Sequence, residues 1–262
     1  MKKVITLMIL FSSIVYAQTY KVLLETKHQT IYTPEQIEKY FGNIKDSDAK
    51  KWNVEQNMNP PILNYEIVFT KKNMSIKELA KINNSQDGNG SIKKTVPNLP
   101  FNQTYVDHID NFALRKVDVY GKEYIEKAEL KALHWKIENE FKDILGYKVQ
   151  KATSKFMDFD VTIWFTKEID LDFMPAYNIK SIDGFVLEMS YVIKNESGEM
   201  NNIINVTKVE KLKDGVRFKF PMTEPGKKSN VVTSDELDVI YDEANRKRNE
   251  MYNNNQGVDK KD

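Results

Sequence analysis

The chain has 262 residues, and its 39 lysines and arginines almost balance its 38 aspartates and glutamates. This balance excludes the strong positive field with which a nucleic-acid-binding protein neutralises phosphates, so no nucleic-acid partner is predicted. The absence of cysteine excludes disulfides, thiol nucleophiles and cysteine-ligated metals. With 40% hydrophobic and 11% aromatic residues, the chain can build a packed core, and nothing in it predicts a cofactor.

Residues 1–17 have the three-part pattern of a cleaved signal peptide. Lys2 and Lys3 supply a basic start, an apolar run of about a dozen residues follows, and Ala17 ends a small-residue cleavage site before Gln18. The run is shorter than the roughly 20 residues that a membrane span needs, and no later segment reaches that length. We therefore predict an exported protein that does not span the membrane, located in the periplasm, at the outer membrane or outside the cell.

The first third of the remaining chain mixes strand and helix signals. Alternating apolar side chains predict strands at residues 18–25 and 64–70. Between these strands, Thr33 and Gln36 have the spacing of a capping box, and Pro34 suits the first position of a helix. Residues 83–104 are rich in Asn, Gly and Pro, which predicts a mobile loop.

From Phe112 onward, short alternating segments joined by compact turns predict antiparallel strands. The period changes after Thr233 and Glu236, which form a second capping box. We predict an amphipathic C-terminal helix at 233–252 and a disordered polar tail at 253–262. Residues 18–232 are predicted to form a single mainly-β (α+β) domain, a curved antiparallel sheet or half-open barrel with a few helices. Its later predicted strands are residues 112–114, 116–120, 123–125, 134–138, 147–153, 161–169, 185–194, 205–212 and 216–220, and residues 130–133 could instead form a helical turn.

The stretch from His134 to Met189 contains an ordered set of motifs at Trp135–Ile137, Ile144–Thr153, Trp164–Ile169 and Ile182–Val186. Their order and spacing resembles the GLPGLI (Porph_ging) family of exported proteins of Gram-negative bacteria. Val149 stands where that family has a cysteine, and Gly184 alone is kept outright from the name-giving motif. The resemblance implies an envelope partner such as an outer-membrane receptor and transfers no catalytic residue. The motif residues that it implies to be structural are Trp135, Gly146, Tyr147, Lys151, Ala152, Thr153, Trp164, Phe165, Thr166, Glu168, Pro175, Gly184, Phe185 and Val186.

Two groups of residues could carry chemistry. His108 lies near Asp107 and Asp110, a spacing that suits a metal ligand or an acid–base pair, although a solvated loop histidine has the same pattern. Glu168, Asp170 and Asp172 alternate and are expected to share one face of a strand. Such a row can bind a cation or act as paired carboxylates, but more often it protects a sheet edge from aggregation.

These patterns favour a non-enzymatic binding or accessory protein of the cell envelope. In this hypothesis an aromatic-lined concave face of the sheet holds an apolar ligand or a peptide. One alternative is a metal-dependent hydrolase that uses His108 or the carboxylate row. Another is an accessory subunit that contacts an outer-membrane receptor through the sheet edge or the C-terminal helix.

Overall fold

The structure is a computed structural model that describes residues 18–79, 104–156, 159–176, 178–195, 198–213, 218 and 230–255. The predicted signal peptide lies outside these residues. Three other predicted segments also lie outside the described residues: the loop at 83–104 except for Thr104, the strand at 216–220 except for Phe218, and the tail beyond Asn255.

The described residues form one large sheet, which confirms the mainly-β prediction. Neighbouring strands pair antiparallel except for one short parallel pair, β12 with β6. The strand order is β12-β6-β5-β4-β3-β2-β1-β11-β10-β9-β8-β7. The strands are β1 (Thr19–Ile31), β2 (Leu63–Phe69), β3 (Asn73–Leu79), β4 (Thr104–Asp107), β5 (Phe112–Val119), β6 (Lys122–Glu129), β7 (Lys136–Ile144), β8 (Tyr147–Phe156), β9 (Phe159–Thr166), β10 (Phe185–Asn195), β11 (Gly198–Leu212) and β12 (Val231–Thr233).

The connection between β6 and β7 requires the sheet to curl. These strands lie near opposite edges of the sheet, so in a flat sheet they would be about 48 Å apart at about 4.8 Å per strand. Residues 130–135 join them, and a chain of that length reaches at most about 25 Å. Curvature must supply the difference. Among the described residues the sheet nevertheless stays open, because its edge strands β7 and β12 do not pair with each other.

Three helices accompany the sheet in the described residues: α1 (Pro34–Phe41), α2 (Ser47–Met58) and α3 (Ser234–Asn255). The capping box predicted at Thr33 and Gln36 is present at the start of α1. Helix α2 is not predicted from the sequence, because it buries no residue and therefore has no apolar stripe. Helix α3 begins at the predicted capping box and continues three residues past the predicted end.

The hydrophobic core lies inside the curled sheet, and the segment between β9 and β10 covers it. The segment between β9 and β10, residues 167–184, packs onto the sheet through apolar side chains. Its Phe173 ring lies 4.7 Å from the ring of Phe69 and 4.8 Å from that of Phe185. Burying each such side chain stabilises the fold by about 1.5–3 kcal/mol. The aromatic face that was expected to hold an apolar ligand is therefore filled here by residues 167–184.

Two sequence-based expectations need correction in this region. The strand predicted at 161–169 ends at Thr166, and residues 167–171 form bends rather than a strand. The ladder stops because Ile169, Leu171 and Phe173 turn into the core. Glu168, Asp170 and Asp172 therefore do not protect a strand edge. Residues 130–133 form no helical turn, since Lys131 instead makes an isolated bridge with Ile179.

Candidate functional site

A cavity of about 460 Å³ opens at one end of the curled sheet, where several connections meet. The β2–β3 and β4–β5 turns lie at this end, as do the end of β6 and the segment 167–184. We call it the His108 cavity. Its lining residues are Lys71, His108, Leu130, Asp170, Leu171, Asp172, Lys180, Ser181 and Asp183.

Hydrogen bonds fix the turn that carries His108. The backbone N–H of His108 donates to the carbonyl of Lys72 at 2.9 Å, which ties the β4–β5 turn to the β2–β3 turn. The Asp107 carboxylate accepts from the backbone N–H groups of Ile109 and Asp110, each at 3.0 Å. Carboxylate caps of this kind are typical of Asx turns. The imidazole is therefore presented on a rigid turn.

The opposite wall belongs to residues 167–184, an extended segment with alternating exposure. Leu171 and Phe173 are buried, whereas Asp170 and Asp172 are exposed on the cavity side. The segment is anchored at two places. The N–H of Phe173 donates to Gly184 at 3.1 Å, and the N–H of Lys180 donates to Lys131 at 2.9 Å. The apolar half of this segment thus holds its polar half in position.

Burial perturbs two titratable groups of the cavity in opposite directions. Burial lowers the pKa of His108, although the carboxylates of Asp107 and Asp172 work against this change. Partial desolvation of its carboxylate in the cavity raises the pKa of Asp172, although the residue as a whole is exposed, and the charge of Asp183 adds to the effect. A hydrogen bond from the Gly184 backbone and the charges of Lys71 and Lys167 oppose it. At neutral pH the cavity therefore contains an uncharged imidazole beside lysines and aspartates.

This mixture of groups can donate and accept hydrogen bonds at the same time. Lysine ammonium groups donate, carboxylates accept, and the imidazole and the Ser181 hydroxyl can do either. Among the described residues, no three His, Cys, Asp or Glu side chains come close enough together to hold a metal ion. This mixture of donors and acceptors suits a ligand rich in hydroxyl groups.

A family model described as "N-glycanase peptide, N-terminal domain" matches residues 72–237, which is more than half of the chain and includes most of the cavity lining. The chain belongs to this N-glycanase N-terminal domain family. No curated protein matches it.

The chain also matches several solved structures. PNGF-II in a C2 crystal form has 16% identity and a TM-score of 0.47, and PNGF-II in a P21 form has 14% identity and a TM-score of 0.48. Each match covers 87% of this chain, but this chain spans only 32% and 34% of the respective PNGF-II chains. A putative outer membrane lipoprotein-sorting protein domain from Vibrio parahaemolyticus has 6% identity and a TM-score of 0.30. That match covers 76% of this chain and 87% of the Vibrio chain.

The family assignment corrects the GLPGLI resemblance, which is wrong because the matching family is the N-glycanase N-terminal domain. The motif residues behind that resemblance lie in and around β7 to β10, and of them only Asp183 lines the His108 cavity. Most of them serve packing. The fully buried ones are Ala152, Phe165, Thr166, Pro175, Gly184, Phe185 and Val186, and the half-buried aromatic ones packed against the core are Trp135, Tyr147 and Trp164.

The polar motif residues stabilise an irregularity in β7. Pairing between β7 and β8 is interrupted between Ile137 and Phe141. Lys151 makes ion pairs at 3.2 Å with Glu138 and at 3.1 Å with Glu140 in this interruption. The Thr153 hydroxyl donates to Glu138 at 3.0 Å. These contacts hold a bulge on an edge strand, a position where bulges hinder pairing with other chains.

The remaining motif residues occupy turns and a loop. Gly146 has a φ of +82° in the β7–β8 turn, and Gly184 has a φ of +151° before β10. The Glu168 carboxylate accepts from the Lys148 backbone N–H at 3.2 Å. Within the predicted carboxylate row, only Asp170 and Asp172 line the cavity.

Sequence reasoning missed four polar residues of the cavity. Lys71 and Lys180 lie in separate connections, and no spacing relates either of them to His108. Asp183 belongs to the motif Ile182–Val186 and Ser181 directly precedes it, but nothing in that motif indicates a binding site. A local signal did exist for Asp170 and Asp172, because their alternation with Ile169 and Leu171 separates a polar side from an apolar side.

No helix in the described part of the chain combines the length and apolar character needed to cross a membrane.

Proposed function

We propose that this chain is a non-catalytic accessory module that binds a saccharide-bearing ligand in the His108 cavity in support of an N-glycanase-type activity. The observation that carries the proposal is the cavity itself. Lysines, aspartates, a serine and a neutral imidazole converge there from three separate connections. Polar side chains of both hydrogen-bonding types match hydroxyl groups, which donate and accept at once.

The packing of the core supports a polar ligand over an apolar one. Phe173 covers Phe69 and Phe185, so the described aromatic face is not accessible to an apolar ligand. The accessible concavity at this end of the sheet is instead lined mainly by charged groups. Binding sites generally orient their ligands through a few such polar groups.

The family supports an accessory role. The matching model describes an N-terminal domain of an N-glycanase peptide, and the chain spans about a third of the PNGF-II chains that it resembles. A domain of this kind can hold a glycan-bearing substrate while another domain performs the reaction. The glycan of a glycopeptide is therefore the proposed ligand.

Isothermal titration calorimetry tests this proposal with a peptide that carries an N-linked glycan and with the same peptide lacking it. We expect saturable binding of the glycopeptide alone. Asp172→Asn and Lys180→Ala should each weaken binding by roughly tenfold or more, since a hydrogen bond to a charged group contributes about 1.5–3 kcal/mol. Asp48→Asn on α2 and Lys194→Ala on β10 make the same changes at exposed positions away from the cavity and should bind normally. Equal affinity for both peptides would refute the proposal.

A hydrolase that uses the same cavity is the second candidate. The observation in its favour is that burial lowers the pKa of His108 and raises that of Asp172. A neutral imidazole beside a carboxyl group that is easily protonated can serve as a base and an acid. Mass spectrometry of the glycopeptide recovered after the titration separates the two candidates. Intact glycopeptide supports binding, whereas cleavage that both His108→Ala and Asp172→Asn abolish supports hydrolysis.

Export remains part of the proposal, since residues 1–17 have the pattern of a signal peptide. Expression in a Gram-negative host followed by cell fractionation tests it. The expected product lies outside the cytoplasm and has a mass that corresponds to a chain starting at Gln18. A full-length product that starts at Met1 and stays in the cytoplasm would contradict export.

A further inference from the structure

A second concavity, of about 580 Å³, lies beside the β8–β9 hairpin, near the point where β7 begins. We call it the edge groove. One wall is the connection that enters β7, and the other is formed by the end of β8 and the start of β9. The lining residues are Ala132, Leu133, His134, Lys136, Thr153, Ser154, Lys155, Asp160, Val161 and Thr162.

Strand pairing stops at this groove. The ladder between β7 and β8 ends with the pair Lys136 and Thr153. The last residues of β8, Ser154–Phe156, still pair with β9 on one side. On the other side no strand of the described chain accompanies them. A short stretch of sheet edge is therefore left beside a concavity, which is the arrangement that accepts an added strand.

The entering connection stays close to β8 without forming a ladder there. The Ser154 hydroxyl donates to the carbonyl of His134 at 2.8 Å, and Lys131 forms its bridge with Ile179 instead. Ala132, which is exposed, and Leu133, which is half-buried, supply apolar surface to the groove. An extended segment needs both features, since its backbone pairs with an edge and alternate side chains enter apolar pockets.

Lysines outnumber carboxylates among the residues that line the groove. Lys136 and Lys155 line it, and the Lys131 ammonium lies 5.7 Å above the ring of Phe156. Asp160 is the one carboxylate among the lining residues. It lies 3.8 Å from the Lys155 ammonium, and both side chains are largely exposed. An exposed ion pair at that distance is weak, so Lys155 remains available to a ligand carboxylate.

We propose that the edge groove binds an extended acidic peptide segment, which adds to Ser154–Phe156 as a short strand and places its carboxylates beside Lys136 and Lys155. The complementary charge selects an acidic ligand, and the unpaired edge selects an extended one. This site shares no lining residue with the His108 cavity.

Fluorescence anisotropy with the full chain tests the inference. The probe is a dye-labelled peptide that alternates glutamate with valine. Two comparison peptides have lysine in place of glutamate or carry N-methyl groups on alternate amides. We expect the acidic probe to bind roughly tenfold or more tightly than either comparison peptide, because one lacks the complementary charge and the other lacks backbone donors.

Variants of the chain locate the binding site. The double variant Lys136→Glu with Lys155→Glu should weaken binding of the acidic probe by roughly tenfold or more. Lys45→Glu with Lys51→Glu makes the same charge change at exposed positions near and on α2 and should leave binding unchanged. Asp172→Asn should also leave it unchanged, which separates this inference from the saccharide proposal. Absence of binding, or equal binding of the lysine or N-methylated peptide, would overturn the inference.

Discussion

One buried histidine makes the stability of the fold depend on pH. His28 of β1 is only 3% exposed, and its Nδ1 is hydrogen-bonded to the side-chain oxygen of Asn202 on β11. Its Nε2 is buried without a partner in the described structure, as is the hydroxyl of Thr26 two residues earlier. Burial lowers the pKa of His28, and the bond to Asn202 only partly opposes this change. Protonation of His28 would therefore place an uncompensated charge inside the sheet.

We expect the free energy of unfolding to fall as the pH drops below about 6.5, the ordinary pKa of histidine in an unfolded chain. Because the folded-state pKa is lowered, the unfolded chain binds more protons between the two values, and acid favours unfolding there. The pKa of His108 is lowered as well, so this residue adds to the dependence of the free energy of unfolding on pH. Urea denaturation at about pH 7.5 and about pH 5.5 measures the effect. His28→Gln should reduce the loss of stability on acidification, and an unchanged slope in that variant would refute the role of His28.

Alanine substitution at two glycines distinguishes the cost of backbone strain from the cost of crowding in the core. A Cβ on Gly184 would lie 2.7 Å from Cδ2 of Phe165 and 3.0 Å from the carbonyl oxygen of Thr166, whereas a Cβ on Gly146 would meet nothing within 4 Å. Both residues have positive φ. We expect Gly146→Ala to cost about 1–2 kcal/mol from conformation alone. Gly184→Ala should cost about 1–3 kcal/mol more because it also overpacks the core. Chemical denaturation measures both, and equal losses would contradict the crowding.

At the scale of elements, α3 with β12 forms an attachment separate from the main core. Leu237 packs with Val117, Val119 and Tyr124 in a small apolar cluster on the β5–β6 hairpin. The start of α3 is held by Glu126, which is ion-paired with Arg115 at 2.6 Å and accepts from the Ser234 hydroxyl at 2.7 Å. Strand β12 pairs with Ile125–Lys127 of β6. The edge strand on this side of the sheet is therefore the three-residue β12, and so short an edge strand hinders pairing with other chains.

We expect Leu237→Ala to loosen this attachment without unfolding the sheet. The substitution leaves a cavity at a fully buried site, which costs about 2–4 kcal/mol. Hydrogen exchange should accelerate in residues 231–248 while β1 stays protected. Val239→Ala, at a position of the same helix that is 66% exposed, is the matched control and should change nothing. Equal acceleration in β1 would show that α3 and the main core unfold together.

Elements with a strong local pattern were predictable, and those held by distant contacts were not. The capping boxes at Thr33 and Thr233 mark true helix starts, and alternation locates most strands from β5 to β11. Strands β3 and β4 were missed because they flank the Asn-, Gly- and Pro-rich residues 83–104. The GLPGLI resemblance failed for a related reason. Turn glycines such as Gly146 and half-buried aromatics such as Trp164 occur in many antiparallel sheets and do not identify one family.

At the scale of the whole molecule, curvature creates the candidate site. Strand β1 pairs with β11 although nine strands and helices α1 and α2 lie between them in the sequence. Hydrophobic periodicity cannot predict such non-local pairing, because it relates only residues that are close in sequence. The curl brings the turns that carry Lys71 and His108 to the segment 167–184. The sequence therefore predicted two aspartates of the cavity by their alternation but could not predict that they face His108.

Because residues 167–184 both fill the core and line the cavity, Phe173→Ala should damage both. We expect a loss of about 3–5 kcal/mol in the free energy of unfolding. Weaker glycopeptide binding should accompany it even where the variant is still folded, because Asp172 lies next to the substituted residue. Denaturation and calorimetry measure the two effects. Phe141→Ala on β7, where the side chain is 48% exposed, is the control and should have little effect on either. If the folded Phe173→Ala variant bound the glycopeptide with full affinity, the link between core packing and the cavity would be contradicted.

The most direct test of the saccharide proposal is a titration followed by NMR of the three histidine rings in the chain. His28 is buried beside Asn202, His134 lines the edge groove, and His108 lines the cavity. Addition of a free N-linked glycan should shift the His108 ring signals saturably and leave those of His28 and His134 in place. An unchanged His108 signal at saturating glycan, or equal shifts of all three rings, would contradict saccharide binding in the His108 cavity.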